Sequence, residues 1–385
     1  METIVSEMMD LIANEVFGKP IERFSEPLSE QALSGLYKLS KSHDLAHLVG
    51  EALIKNQLIP DGEMRTRFQK QVMLAVYRNE KLNYELTRLC TVLNAAGIPF
   101  IPLKGSVLRR RYPEPWMRTS CDIDILIHES DLDRAVDLLI SQMEYSAEAR
   151  MTHDIGLNAP NGVHVELHFL LLESQLVGKA DRVMETVWER CVPDEALPYC
   201  YVMPDELFYA YHIAHMAKHF VNGGCGIRPF LDIQVLNRLV DHDKDKRSRL
   251  LEECGLLTFA HNAEGLSEVW FGNAGHTEMT LEMQDFLLRG GVYGTTEKRI
   301  TVQQVKRGGQ FRYALHRIWV PYGVLKRHYP SLDGKPVLLP FYEVRRWFSL
   351  IFRGRVRRGV EELKITTATE MAGTREMLAR LELVG

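Results

Sequence analysis

The chain has 385 residues, 45% hydrophobic and 25% charged, which is enough to bury a sizeable core in two or three domains. A net charge of −4 excludes the global basic field that non-specific nucleic-acid binding needs and leaves room only for a local patch. The six cysteines form no C-x-x-C pair, against a disulfide framework or cysteine-held zinc. No run reaches the roughly 18 apolar residues of a membrane span. The opening Met1-Glu2-Thr3-Ile4-Val5-Ser6-Glu7 lacks a signal peptide's positive region, so a cytoplasmic protein is expected.

Residues 1–96 read as helical. Leu33, Leu36, Leu39, Leu45, Leu48, Leu53 and Ile54 recur at helical spacing between Leu28 and Leu58. After the turn Pro60-Asp61-Gly62, a longer periodic run extends from about Glu63 to Ala96, and Gly97 ends it. The period then changes. Ile98–Leu103 reads as a strand, Gly105–Tyr112 as a short helix and Asp122–His128 as a second strand. Ser130 is placed as the N-cap of a helix through Leu132, Ala135, Val136, Leu138 and Leu139. Asn161-Gly162 predicts a two-residue hairpin turn between His153–Ala159 and Val163–Leu170. From Asp181 the pattern is again helical, with a helix opened by Pro204-Asp205-Glu206, a glycine-rich loop at Asn222–Gly226, and further helices at Phe230–Val240 and Met279–Leu288. A basic tail interleaved with aromatics runs from about Thr301, including Lys306, Arg307, Arg345, Arg346, Arg357, Trp319, Tyr342 and Trp347. The order is helical (1–96), mixed (97–180), then mainly helical (181–385), an α+β chain.

Alternation puts Asp122 and Asp124 on one face of their strand and Ile123, Ile125 and Ile127 on the other. Two carboxylates at the edge of a core call for a positive partner, and a divalent metal is the obvious one. Other Asp-x-Asp pairs, at Asp131/Asp133, Asp241/Asp243 and Asp243/Asp245, sit at a helix start or in polar loops and read as solvated surface. Glu166 lies on the polar face of its strand with His164 and His168. Three carboxylates converging from neighbouring strands suit two hard cations about 3.5–4 Å apart, holding a triphosphate and activating a hydroxyl. Gly105-Ser106 before a short helix suits a phosphate, and equally an ordinary strand-to-helix turn. Lys104 reads either as a phosphate-contacting point charge or as a surface lysine.

The set Leu103-Lys104-Gly105-x-x-Leu108, Asp122-Ile123-Asp124-Ile125-Leu126 and Gly162-x-x-Val165-Glu166-Leu167-His168 resembles the polymerase-beta-type nucleotidyltransferase superfamily, in particular its bacterial uncharacterised group. His215-x-x-Lys218-His219, Gly224-x-Gly226-Ile227-Arg228, Asp232, Phe286–Gly294, Tyr329-Pro330 and Leu339-Pro340 extend the likeness over about residues 30–350. The resemblance implies a small mixed sheet with flanking helices, set between the helical regions. It implies phosphate binding at Gly105 and Ser106, and two Mg²⁺ (or Mn²⁺) held by Asp122, Asp124 and Glu166. The reaction it implies is transfer of a nucleoside monophosphate from a nucleoside triphosphate to an acceptor hydroxyl on a small molecule, a protein or an RNA end. Lys104 departs from the superfamily, where an apolar residue usually precedes the Gly-Ser pair, and Glu166 stands where Asp is commoner.

His212, His215 and His219 share a helical face. They are read as a three-histidine metal site or as packing, and with Asp232 they form the basis of an alternative metal-dependent phosphohydrolase. Lys218 and Arg228 are candidates for the triphosphate or the acceptor. A non-catalytic nucleotide-binding or toxin–antitoxin-type partner is a further alternative. The basic tail admits nucleic acid, which the net charge does not favour.

Overall fold

The apolar periodicity of the first hundred residues is realised as four helices: α1 (Glu2–Phe17), α2 (Glu30–Ser42), α3 (Ala46–Lys55) and α4 (Glu63–Ala95). The structure, a computed structural model, describes residues 2–24, 26–172, 179–288, 302, 322, 325, 329–332, 334–352 and 368–384. Ser29 caps α2 by accepting from the Ala32 N–H. The Leu28–Leu58 run is broken by Asp44, whose φ of 56° is left-handed. Gly97, at φ 65°, closes α4 as expected.

Five strands follow: β1 (Phe100–Pro102), β2 (Asp122–Ile127), β3 (Ser146–Ala147), β4 (Asp154–Asn158) and β5 (His164–His168). They form one mixed sheet in the order β1-β2-β5-β4-β3, in which only β2 and β5 run parallel. Between β1 and β2 lies the short helix α5 (Lys104–Leu108), which starts one residue earlier than the sequence suggests. Helix α6 (Leu132–Met143) follows β2. Ser130 is not its N-cap: it lies inside a 3-10 turn, Glu129–Asp131, and Asp131 takes the cap position. The hairpin between β4 and β5 also differs in detail. Ala159 N–H donates to the Val163 carbonyl and Gly162 N–H to that of Ala159, so the loop has one more residue than a two-residue turn. Gly162 at φ 77° supplies the left-handed position such a loop needs.

The later chain forms α7 (Ala180–Glu185), α8 (Val187–Arg190), a small ribbon β6 (Val192–Pro193) and β7 (Tyr201–Val202), then α9 (Asp205–Phe220), α10 (Arg228–Arg238), α11 (Lys244–Glu253), α12 (Leu257–Phe271) and α13 (Glu278–Leu288). Asp243, read as part of a polar loop, caps α11 by accepting from the Lys246 N–H. Helices α14 (Leu339–Phe352) and α15 (Ala368–Arg380) complete the described chain. Most of the basic aromatic tail, including Lys306, Arg307, Trp319 and Arg357, lies outside the described residues, as does Gly290–Gly294.

Two apolar cores hold these layers. One packs Leu82, Leu86, Leu89 and Leu93 of α4 and Leu132, Ala135 and Leu139 of α6 beneath Ile123, Ile125, Ile127, Val165 and Leu167. The other joins α1, α2 and α3 to α9, α10 and α12, and takes in Leu126 from the opposite face of the sheet. The acidic face of β2 and β5 therefore looks away from α4 and α6, toward the later helices. No described helix is long and apolar enough to cross a membrane.

Candidate active site

Parallel pairing of β2 with β5 sets Asp122 opposite His164, Asp124 opposite Glu166 and Leu126 opposite His168. Asp122, Asp124 and Glu166 then line one cavity of about 270 Å³. Its floor is completed by Lys104, Gly105, Ser120 and Cys121; α9 contributes Phe208, Tyr211, His212, His215, Met216 and His219; and Arg118, Arg228 and Asp232 close the side.

Asp124 is the best-held carboxylate. Its Oδ1 accepts from Lys104 Nζ at 2.7 Å and from His168 Nε2 at 2.8 Å. Burial opposes its ionisation, yet Lys104 and His168 outweigh burial and hold the carboxyl well below the usual range. His168 also reaches Glu166 Oε2 at 3.2 Å, and this hydrogen bond lowers the Glu166 carboxyl. Burial works against a charged His168, but its two carboxylate partners raise it on balance. Lys104 follows the same logic, pushed down by burial and raised further by Asp124. Asp122 differs: burial and the neighbouring Asp124 raise it.

The opposite side of the cavity is built from ion pairs. Asp232, buried on α10, accepts from Arg118 Nε and from the Tyr112 hydroxyl, each at 2.7 Å. Burial opposes its charge, and Arg118 more than compensates. Arg228 Nη1 donates to Asp44 Oδ2 and to the Thr119 carbonyl, both at 2.9 Å, tying the α2–α3 loop to the cavity wall. Burial disfavours the charged form along the histidine stripe: it lowers His212, lowers His215 strongly, and brings His219 down to about 4. His212 Nε2 is engaged by the Pro229 carbonyl at 3.1 Å, and His215 and His219 bond to each other at 3.2 Å. Among the described residues no ligand group contains any of the three. The stripe is a wall of the cavity, and the geometry lends the hydrolase alternative no metal centre.

Of the residues singled out from sequence, Lys104, Gly105, Asp122, Asp124, Glu166 and Arg228 meet at the cavity. Ser106 and Lys218 do not line it. Because α5 begins at Lys104, Ser106 is turned inward, and its Oγ is buried without a hydrogen-bond partner. Lys218 is half-buried on α9. The sequence reading gave no role to His168, Arg118 or Tyr211. His168 had a signal, since it shares the polar face of β5 with Glu166. Arg118 sits in a loop with no pattern to mark it.

An Asp/Glu/His cluster at the cavity could hold a divalent cation. Ligand atoms of Asp124, Glu166 and His168 lie within 4.8 Å of one another, as do those of His153, Asp154 and His168. The upward pull of Asp124 on Asp122 is carboxylate crowding that a cation relieves.

No curated protein matches the chain. A family model described as "Uncharacterised nucleotidyltransferase" matches residues 29–272, which take in α2 through α12 and every residue lining the cavity. The sheet, the acidic register and this match agree, and the chain belongs to the uncharacterised nucleotidyltransferase family.

Proposed function

We propose that the protein transfers a nucleoside monophosphate from a nucleoside triphosphate to an acceptor hydroxyl and releases pyrophosphate. The observation that carries this reading is the parallel register that puts Asp124 and Glu166 side by side, with Asp122 two residues along on the same face. Mg²⁺, or Mn²⁺ in its place, would be held by Asp122, Asp124 and Glu166 and would neutralise charge on the triphosphate and the departing pyrophosphate. The chain's own residues do the positioning. Lys104 and Arg228, both lining the cavity, bring positive charge to the phosphates. Gly105 allows close approach at the floor. Phe208, Met216 and Leu108 give apolar walls that keep water from the α-phosphate. The acceptor oxygen attacks the α-phosphorus in line, the bond to the β-phosphate bridging oxygen breaks, and the hydroxyl proton is released.

The test is incubation with each α-labelled triphosphate and Mg²⁺, reading labelled product and pyrophosphate; the mass of the labelled product identifies the acceptor as a small molecule, a protein side chain or an RNA end. Asp122→Ala and Glu166→Ala are expected to lower transfer by on the order of 100-fold. Transfer equal to wild type in both would overturn the site. Phosphate release lost in His215→Ala but kept in those two would point to the hydrolase instead, and binding without turnover to a nucleotide-binding partner.

A further inference from the structure

We infer that the Lys104 ammonium is the site's built-in second cation, so that the chain works with one divalent ion rather than two. This rests on the nucleotidyltransferase reading and sharpens its metal requirement.

Three observations converge. First, in a two-ion site the central carboxylate must serve both metals, and Asp124 is that carboxylate, flanked by Asp122 and Glu166 on the same face of the sheet. Its Oδ1 already accepts two N–H donors, Lys104 Nζ at 2.7 Å and His168 Nε2 at 2.8 Å. A carboxylate oxygen has two lone pairs, so Oδ1 is filled and only the other oxygen remains for a metal. Second, the lysine is placed where a cation belongs. Its amine lies against a carboxylate that is 4% exposed, while the lysine side chain itself is 24% exposed and lines the cavity. An ammonium is a compact, strongly hydrated point charge with three donors, and it can hold Asp124 while presenting N–H groups to a phosphate oxygen. Third, the backbone is bent to put it there. Lys104 has φ 41°, a left-handed conformation that a long side chain seldom adopts and that persists where the surroundings over-determine it. Here the determinants are the Asp124 contact and the Leu103 N–H bonded to the Asp124 carbonyl at 3.0 Å.

The experiment counts Mn²⁺ by electron paramagnetic resonance in the full chain with an equimolar non-hydrolysable α,β-methylene triphosphate. The expected result is one Mn²⁺ per chain with no exchange-coupled Mn–Mn signal in wild type, and a second, coupled Mn²⁺ in Lys104→Met. Two coupled Mn²⁺ in wild type would overturn the inference and leave the nucleotidyltransferase reading standing. Binding of a single Mn²⁺ by a folded Lys104→Met, judged by an unchanged circular-dichroism melt, would also overturn it. No Mn²⁺ bound to wild type would remove both the inference and the reading it rests on. The wild-type count decides the matter even if the variant fails to fold.

Discussion

A methyl group at Gly105 would lie 2.9 Å from both Cβ and Oγ of Ser120. Ser120 is in turn gripped by Arg109, whose Nη2 donates to its Oγ at 2.8 Å while Nε donates to the Gly105 carbonyl at 2.9 Å. Gly105→Ala therefore has to push the start of β2, and Asp122 with it. The expected outcome is a lower melting temperature, corresponding to about 1–3 kcal/mol of overpacking, and a transfer rate reduced by at least about tenfold. The sequence marked Gly105 for phosphate, whereas the structure also gives it a packing reason. His168 is the converse case. Its contact with Asp124 depends on a strand pairing across some forty residues of chain, which no local spacing announces. His168→Ala is expected to weaken Mn²⁺ binding by about 10- to 100-fold, and His168→Gln, which keeps an N–H donor, to recover part of that in the same titration.

The elements depend on a few buried polar ties. Glu85 of α4 is fully buried beneath the sheet and accepts the Tyr145 hydroxyl at 2.7 Å and the Asn161 side chain of the β4–β5 loop. Glu85→Ala strands both donors and is expected to cost about 3 kcal/mol in urea denaturation, with faster amide exchange in the loop. His47 of α3 makes a second tie, donating from Nε2 to the Met117 carbonyl at 2.9 Å. Burial pushes this histidine from 6.5 down to about 4, against the pull of the Met117 hydrogen bond. The unfolded chain takes up a proton that the folded chain refuses, so this group's contribution is whole above pH 6.5 and drains away as pH falls toward 4. The full loss is about 3 kcal/mol. Denaturation midpoints should fall over that window and fall less in His47→Gln. The long periodic helix α4, strand β2 and helix α9 were legible because their apolar positions repeat. Helix α11 was not: Lys244–Glu253 is mostly charged, and its start is set by the Asp243 cap. The two-residue strands β6 and β7 are too short for any period to show.

Across the whole molecule, burial follows a division other than the changes of period at residues 97 and 181. Met8, Leu11 and Ile12 of α1 are fully buried in a core shared with α9, α10 and α12, and α1 packs directly on α12. Contacts between segments so far apart leave no local signature in a sequence, which is why this joint core was not readable. Leu11→Ala is expected to cost about 2–5 kcal/mol and to shift one calorimetric transition that includes the sheet and its cavity; a separate transition for the sheet would refute the shared core.

Cys121 stands beside Asp122, exposed on the cavity floor. Burial pushes the other thiols up, Cys90 to about 11 and Cys191, Cys200 and Cys254 to about 12, and Cys225 is raised likewise. The protein thus carries a natural attachment point for one label at the candidate site. A fluorescent maleimide should modify this thiol first and occlude the chamber, and a bound triphosphate should slow the labelling, giving a screen for the preferred base without knowledge of the acceptor.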